Sequence, residues 1–308
     1  MAIMKNFNIK LTIAIICFNA YTLQAQEISK KKTFKDGISE KYFVLKDNKT
    51  VKQGQYLITY NDYFFKNYII EFGQYDKNMR AGKWFSFYYK DPSNFVKSVG
   101  NYKDGKKEGS WAYYYMGNAS TVPTIFGSEK RTKIIEPKKG EKEFKVEIDS
   151  SGQQLLSIGQ YTNDIKSGFW EYFSNSGYLI HKFDHSSNKF VENNLREHGN
   201  DFVTFLGGPE RFQNFYYTGQ QEINLKSPIT KTSEVIYEMD KNGDYRYVKG
   251  YGDEVFKEHV ANILLTIPKE WIYLDLVNEK KLQIISKVTY TSDAFKKYNF
   301  FLDYKVVN

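Results

Sequence analysis

The chain has one cysteine in 308 residues, Cys17, and only six prolines. Without a second cysteine no internal disulfide can form, so stability must come from packing even in an oxidising compartment. Scarce proline excludes a proline-rich disordered chain or a long rigid spacer. Histidines are four, and no Gly-x-Ser-x-Gly elbow, Walker loop or Gly-x-Gly-x-x-Gly fingerprint occurs. No apolar run approaches the roughly 20 residues that a spanning helix needs. What is abundant is aromatic: 26 Tyr, 24 Phe and 4 Trp. Such side chains favour pleated, half-buried surfaces, so a mainly β protein is expected.

Residues 1–26 open with Lys5 and Lys10, run through an apolar stretch from Leu11 to about Leu23 broken at Asn19, and reach a small residue, Ala25. This is the build of a secretory signal peptide cut near Ala25 or Gln26. Cleavage would remove Cys17, leave no membrane span and place the mature chain in the periplasm or at the outer membrane. Bulky Ile15 and Ile16 before Cys17 argue against lipoprotein attachment. The formal charge of +8 would fall by two with the leader. Apart from Lys30–Lys32 and a cluster at Lys130, Arg131, Lys133, Lys138 and Lys139, cations are scattered among acids. These runs read as solvated segments, and no nucleic-acid partner is expected.

The chain repeats itself. Gly73-Gln74-Tyr75 is followed nine residues after its glycine by Gly82-Lys83-Trp84, Gly100-Asn101-Tyr102 by Gly109-Ser110-Trp111, and Gly159-Gln160-Tyr161 by Gly168-Phe169-Trp170. A weaker copy, GQYLITY at 54–60, has Tyr56 where the others have Trp. Between the glycines lie DKNMRA, KDGKKE and TNDIKS, polar segments that read as tight turns. Each unit is therefore a hairpin. Alternation puts Trp84, Ser86 and Tyr88 on one face and Phe85, Phe87 and Tyr89 on the other. A lone hairpin is marginal, but hairpins side by side bury one another's rings. Tyr75, Trp84, Tyr102, Trp111, Tyr161 and Trp170 are the expected repeat core. Residues 117–141 read as a long loop inserted between copies, followed by EKEFKVEID, whose Phe144, Val146 and Ile148 share a face in a hairpin feeding the third copy.

These motifs resemble the bacterial variant of the MORN repeat family over about residues 42–185. The resemblance implies a stacked antiparallel hairpin array and a scaffolding, lipid-contact or protein-contact role, with an antitoxin-like role as a weaker alternative.

From Asp201 the pattern changes. FLGGPERFQNF at 205–215 reads as a turn into a short helix. SEVIYEMDKNGDYRYVKGYG at 233–252 reads as a hairpin turning at Asp240–Gly243. Phe256, Val260, Ile263, Leu264 and Ile267 form one stripe of a helix begun by Asp253 and stopped before Pro268. KLQIISKVTY then alternates as a strand. Phe205 with Gly207 and Gly208, the Asp240–Gly243 turn, Gly250, the helix and Trp271 resemble the C-terminal domain of the TonB family over about 203–291. That resemblance implies a peptide added to the edge of the last strand, here Gln283, Ile285, Lys287 and Thr289. Without a retained membrane helix and a proline-rich spacer, the energy-transducing role does not carry over.

The expected fold is mainly β with an α+β C-terminal domain: an elongated antiparallel sheet of stacked β-hairpin repeats, then a three-stranded antiparallel sheet with a packed helix. The expected divisions are a leader at 1–26, an N-terminal segment at 27–41, repeats at 42–185, a linker at 186–202 and the last domain at 203–308. His181 and His185, four apart in a strand, would stand roughly 13 Å apart and cannot readily share an ion. His259, beside Glu254 and Glu258, reads as part of a solvated helix face. Neither a catalytic residue, a metal site nor a cofactor is expected. The sequence reads as an exported envelope interaction or scaffold protein whose partner is an envelope protein or peptide segment held by strand addition. The alternatives are a glycan-binding protein using exposed aromatics and, more weakly, an enzyme.

Overall fold

The computed structural model describes residues 27–61, 68–89, 94–117, 132–135, 143–148, 153–195, 203–222, 228–273, 281–290 and 298–307. The leader, with Cys17, and most of the 117–141 insertion lie outside them. The protein is mainly β. Its strands are β1 (Ile28–Lys35), β2 (Ile38–Leu45), β3 (Lys52–Tyr60), β4 (Tyr68–Asp76), β5 (Met79–Phe87), β6 (Val96–Lys103), β7 (Lys106–Tyr114), β8 (Thr132–Ile135), β9 (Lys145–Ile148), β10 (Leu155–Thr162), β11 (Ile165–Phe173), β12 (Leu179–Asp184) and β13 (Lys189–Asn193). They continue with β14 (Val203–Phe205), β15 (Ser233–Met239), β16 (Tyr245–Tyr251), β17 (Trp271–Tyr273), β18 (Lys281–Tyr290) and β19 (Tyr298–Val307). Two helices are α1 (Gly208–Glu222) and α2 (Glu254–Thr266).

An antiparallel eleven-stranded sheet takes the strands in chain order, β1 to β7 and then β10 to β13. The sheet therefore begins before residue 42, with a β1–β2 hairpin in what reads as an N-terminal segment, and it runs past residue 185 into β13. Four hairpins close through two-residue turns with both residues at positive φ: Asp36-Gly37, Lys77-Asn78, Asp104-Gly105 and Asn163-Asp164. This is the type I′ geometry, whose twist matches that of the strands, and it accounts for the nine-residue glycine spacing. The chain divides into two compact units, the first ending at Gly168 and the second beginning at Phe169.

In the first unit, one face of the sheet buries Phe43, Leu57, Ile69, Phe72, Phe85, Phe87 and Val96 together with Phe144. Phe144 comes from the segment just after the insertion, where β9 pairs with β8 of the insertion (Ile134 opposite Val146). The 143–148 segment therefore does not pair into the third repeat: β10 pairs with β7 instead. The physical reason is burial, since Ile134, Val146 and Ile148 find apolar cover on the Phe face that a hairpin beside β10 would not supply. Phe144 N–H also donates to Gln55 Oε1 (3.0 Å).

In the second unit, α1 and α2 pack with β14, β15, β18 and β19 around Phe205, Phe212, Tyr216, Val235, Phe256, Val260, Ile284 and Leu302. The stripe Phe256, Val260, Ile263, Leu264 and Ile267 is buried. Asp253 precedes α2, but its carboxylate accepts from Thr230 N–H (2.7 Å) and Lys231 N–H (3.2 Å) instead of capping the helix. The sheet here has four strands in the order β16-β15-β18-β19, not three. The short helix expected near 205–215 is α1, which runs to 15 residues and joins α2 in the same core through Phe212 and Tyr216.

Candidate functional site

The second face of the first unit's sheet carries a ladder of rings. Tyr42, Tyr56, Trp84 and Trp111 lie along one cross-strand row, with Tyr75, Tyr102 and Tyr161 beside it. Successive contacts are Tyr56–Tyr75 at 5.1 Å, Tyr75–Trp84 at 5.3 Å, Trp84–Tyr102 at 5.8 Å, Tyr102–Trp111 at 5.2 Å and Trp111–Tyr161 at 5.8 Å, mostly edge to face. This is the arrangement that the ring quadrupole favours. Trp84 and Trp111 are buried, and each indole N–H donates to a backbone carbonyl of its own hairpin, Gln74 O and Asn101 O, both at 3.1 Å. Space for each indole comes from the first glycine of the unit. A Cβ at Gly73 would stand 2.2 Å from Trp84, and one at Gly100 2.1 Å from Trp111.

The structure thus brings together Tyr75, Trp84, Tyr102, Trp111 and Tyr161 in one ladder. Trp170 belongs to the second unit, where it is fully buried against Tyr172 (6.3 Å) and His185 (5.9 Å).

Over the ladder lies a second periodic set, which reading the sequence for rings missed. The residue two before each second glycine is cationic, Lys52, Arg80, Lys107 and, in the third copy, Lys166; the first three lie over the ladder. Lys52 Nζ lies 4.7 Å from the Tyr56 ring centre, the Arg80 guanidinium 4.2 Å from Trp84 and Lys107 Nζ 4.6 Å from Trp111 and 5.0 Å from Tyr161. Such contacts are worth about 0.5–2 kcal/mol as the cation loses water. Each cation's backbone is fixed by the next turn: Asn78, Gly105 and Asp164 donate their N–H groups to the carbonyls of Lys52, Arg80 and Lys107 (3.0–3.1 Å). The signal was present in the turn segments, whose Arg80 and Lys107 stand at one fixed offset from a glycine.

The acids follow the same period. Glu40, Glu71, Ser98 and Ser157 stand at equivalent positions two residues before the ring row, in one cross-strand row with Ile58, Ser86 and Tyr113. Glu40 lies 4.0 Å from Lys52, and Glu71 pairs with Arg80 at 2.7 Å. At the next unit the carboxylate is replaced by Ser98, whose hydroxyl lies 2.7 Å from Ser86 Oγ. These two small side chains form the floor of a half-open cleft of about 170 Å³, walled by Glu71, Arg80, Trp84, Tyr102, Lys107 and Trp111. Burial holds the Lys107 ammonium below the usual lysine range, with Asp164 opposing the shift and Arg80 adding to it. Lys107 Nζ donates to Tyr113 Oη (3.0 Å), and Asp164 spends an oxygen on the Lys107 backbone N–H (2.7 Å). Among the described residues, no carboxylate lies within ion-pair distance of Lys107.

The peptide edge expected at Gln283, Ile285, Lys287 and Thr289 is not an edge. β18 pairs with β15 on one side and, at all ten positions, with β19 on the other; Gln283 faces Lys305, Ile285 faces Asp303, Lys287 faces Phe301 and Thr289 faces Asn299. The chain supplies the added strand itself. Among the described residues, the outer strands of this sheet are β16 and β19.

The histidines sit apart from the cleft. His181 is fully buried, accepts at Nδ1 from Gly207 N–H (2.9 Å), and is pushed down to about 4, first by burial and then by Arg211. His259 is buried at 5% exposure, not on a solvated face, and burial lowers it as well. Among the described residues, no group of three His, Cys, Asp or Glu side chains could hold a metal ion, and no helix is long and apolar enough to cross a membrane. Compared with protein-family models, curated proteins and solved structures, the chain finds no match.

Proposed function

We propose that the chain is an exported, non-catalytic interaction protein of the cell envelope whose hairpin array presents a surface to a protein partner. The observation that carries this reading is the use of the aromatics. Trp84 and Trp111 are buried at 2% and 3% exposure with their indole N–H groups donated to backbone, so they are committed to internal packing. A glycan platform needs a free ring face, and these faces are taken by neighbouring rings and by Lys52, Arg80 and Lys107. Export rests on the leader pattern of residues 1–26, and the non-catalytic reading on the missing nucleophile and base motifs. The MORN-like and TonB-like resemblances add a scaffolding and a peptide-holding tendency. A strand added by a partner to the last sheet would dock on β16 or β19, since β18 is paired on both sides.

The test is to isolate the mature chain from fractionated cells, sequence its N-terminus, and capture partners from the envelope fraction by cross-linking. A start near Glu27 with a reproducible, saturable protein partner supports the reading. An intact leader, a partner set no richer than that of an unrelated exported protein, or a turnover that depends on His259 overturns it.

A further inference from the structure

The array repeats a local solution to one electrostatic problem. A cation placed over aromatic rings, half removed from water, needs a carboxylate beside it. Lys52 has Glu40, and Arg80 has Glu71. Lys107 occupies the same place over Trp111 and Tyr161, yet the equivalent row position is Ser98, and the space that a glutamate would fill is the cleft floored by Ser86 and Ser98. At Ser157, further along the row, Tyr113 stands opposite and the serine is fully buried.

We propose that the cleft between Ser98 and Lys107 is a carboxylate-recognition site that takes an aspartate or glutamate side chain from a partner protein. Lys107 would hold the carboxylate, with the one hydroxyl proton that the Ser86–Ser98 pair leaves free as an additional donor. Glu71 on the cleft wall selects against a doubly charged phosphate, because a dianion meets like charge there. The buried indoles give a uronic acid no free ring on which to stack, whereas an acidic side chain needs only what Glu71 already finds one unit away. The site deepens the interaction reading above and rests on it, and the two fail differently.

The experiment titrates the full mature chain with a capped Gly-Glu-Gly-Glu-Gly peptide, following the Trp111 indole N–H signal by NMR. The capped glutamine analogue and tri-galacturonate serve as the other arms. The glutamate peptide should shift Trp111 saturably, and binding should weaken about tenfold or more with the glutamine peptide and in Lys107→Gln, because a charge-assisted contact is lost. Ser98→Glu should weaken it equally, by supplying the carboxylate from within. Folding is checked by thermal melting, and Ser98→Glu copies a side chain that the neighbouring unit already accommodates. Equal binding by wild type and Ser98→Glu, or shifts with tri-galacturonate alone, overturns the site. If envelope partners are still captured equally by wild type and Ser98→Glu, the cleft assignment falls while the interaction reading stands; if none is captured by either, that reading falls too.

Discussion

A methyl group at Gly100 would sit 2.1 Å from the Trp111 ring, a separation that no small relaxation of a buried indole relieves. Gly109, one strand on, has positive φ (69°) but nothing within 4 Å of a built Cβ. The two glycines of a unit therefore serve different purposes, one steric and one conformational. Gly100→Ala should destabilise by about 3 kcal/mol or more through overpacking, and Gly109→Ala by about 1 kcal/mol through the left-handed backbone alone. Urea unfolding of the two variants measures the difference; equal losses would mean that the ladder is not tightly packed. His181 gives a second residue-scale expectation. Its folded pKa, pushed down to about 4, lies below the unfolded value, so between the two the unfolded chain binds more protons. Its contribution is complete above about 6.5 and is lost as pH falls toward 4, at up to about 1.4 kcal/mol per pH unit for one proton. His259 acts in the same sense. Urea midpoints from pH 7 to 4.5 should fall in the wild type and fall less steeply in His181→Gln; parallel profiles would remove the buried neutral imidazole. The glycines and rings were legible in the sequence because their spacing is fixed. Lys107 and Ser98 were not, because a lysine near a turn looks like ordinary solvation, and only the register reveals that its partner acid is missing.

At the scale of elements, Arg211 in α1 shows how a short segment is fixed. Its guanidinium reaches Glu270 just ahead of β17 at 2.6 Å, donates to Leu206 O at 2.6 Å and lies 4.8 Å from the Tyr172 ring of β11. Both ends of the ion pair are largely covered, at 3% and 14% side-chain exposure, so removing one leaves an uncompensated charge. Arg211→Met should cost about 3–5 kcal/mol, and adding Glu270→Met should recover most of it, since an apolar pair of similar volume replaces the two ions. A thermodynamic cycle over the two single variants and the double variant checks this. An additive result would show that the charges do not meet. Elements with strong local signals were readable: the β15–β16 hairpin through its Asp240–Gly243 turn, and α2 through its apolar stripe and Pro268. β8 and β19 were not. β8 is four residues inside the insertion whose partner follows it, and β19 breaks its alternation at Phe300-Phe301. Their pairing is decided by burial against distant strands, which a local pattern does not carry.

For the whole molecule, the outer strands decide whether so many strands recruit another chain. The outer strand of the large sheet, β1, reads ISKKKTFK, and its lysines oppose a further strand from another chain. At the other end β13 carries Lys189 and Glu192, and β16 carries Arg246 and Lys249. β18 has no comparable run: its sequence KLQIISKVTY buries Leu282, Ile284 and Val288, and β19 covers its free side at ten consecutive positions. β19 thus does within one chain what strand addition does between two. A chain ending at residue 297 should expose that edge together with the core around Leu302, and should self-associate at micromolar concentration, as seen by sedimentation velocity. A synthetic peptide of residues 298–307 should return it to the intact chain's sedimentation coefficient, and a peptide with proline at Phe300 and Leu302 should not, because proline removes ladder donors. If the shortened chain sediments like the intact one and ignores the peptide, β18 does not depend on its last neighbour and the strand-addition edge at Gln283–Thr289 becomes available again.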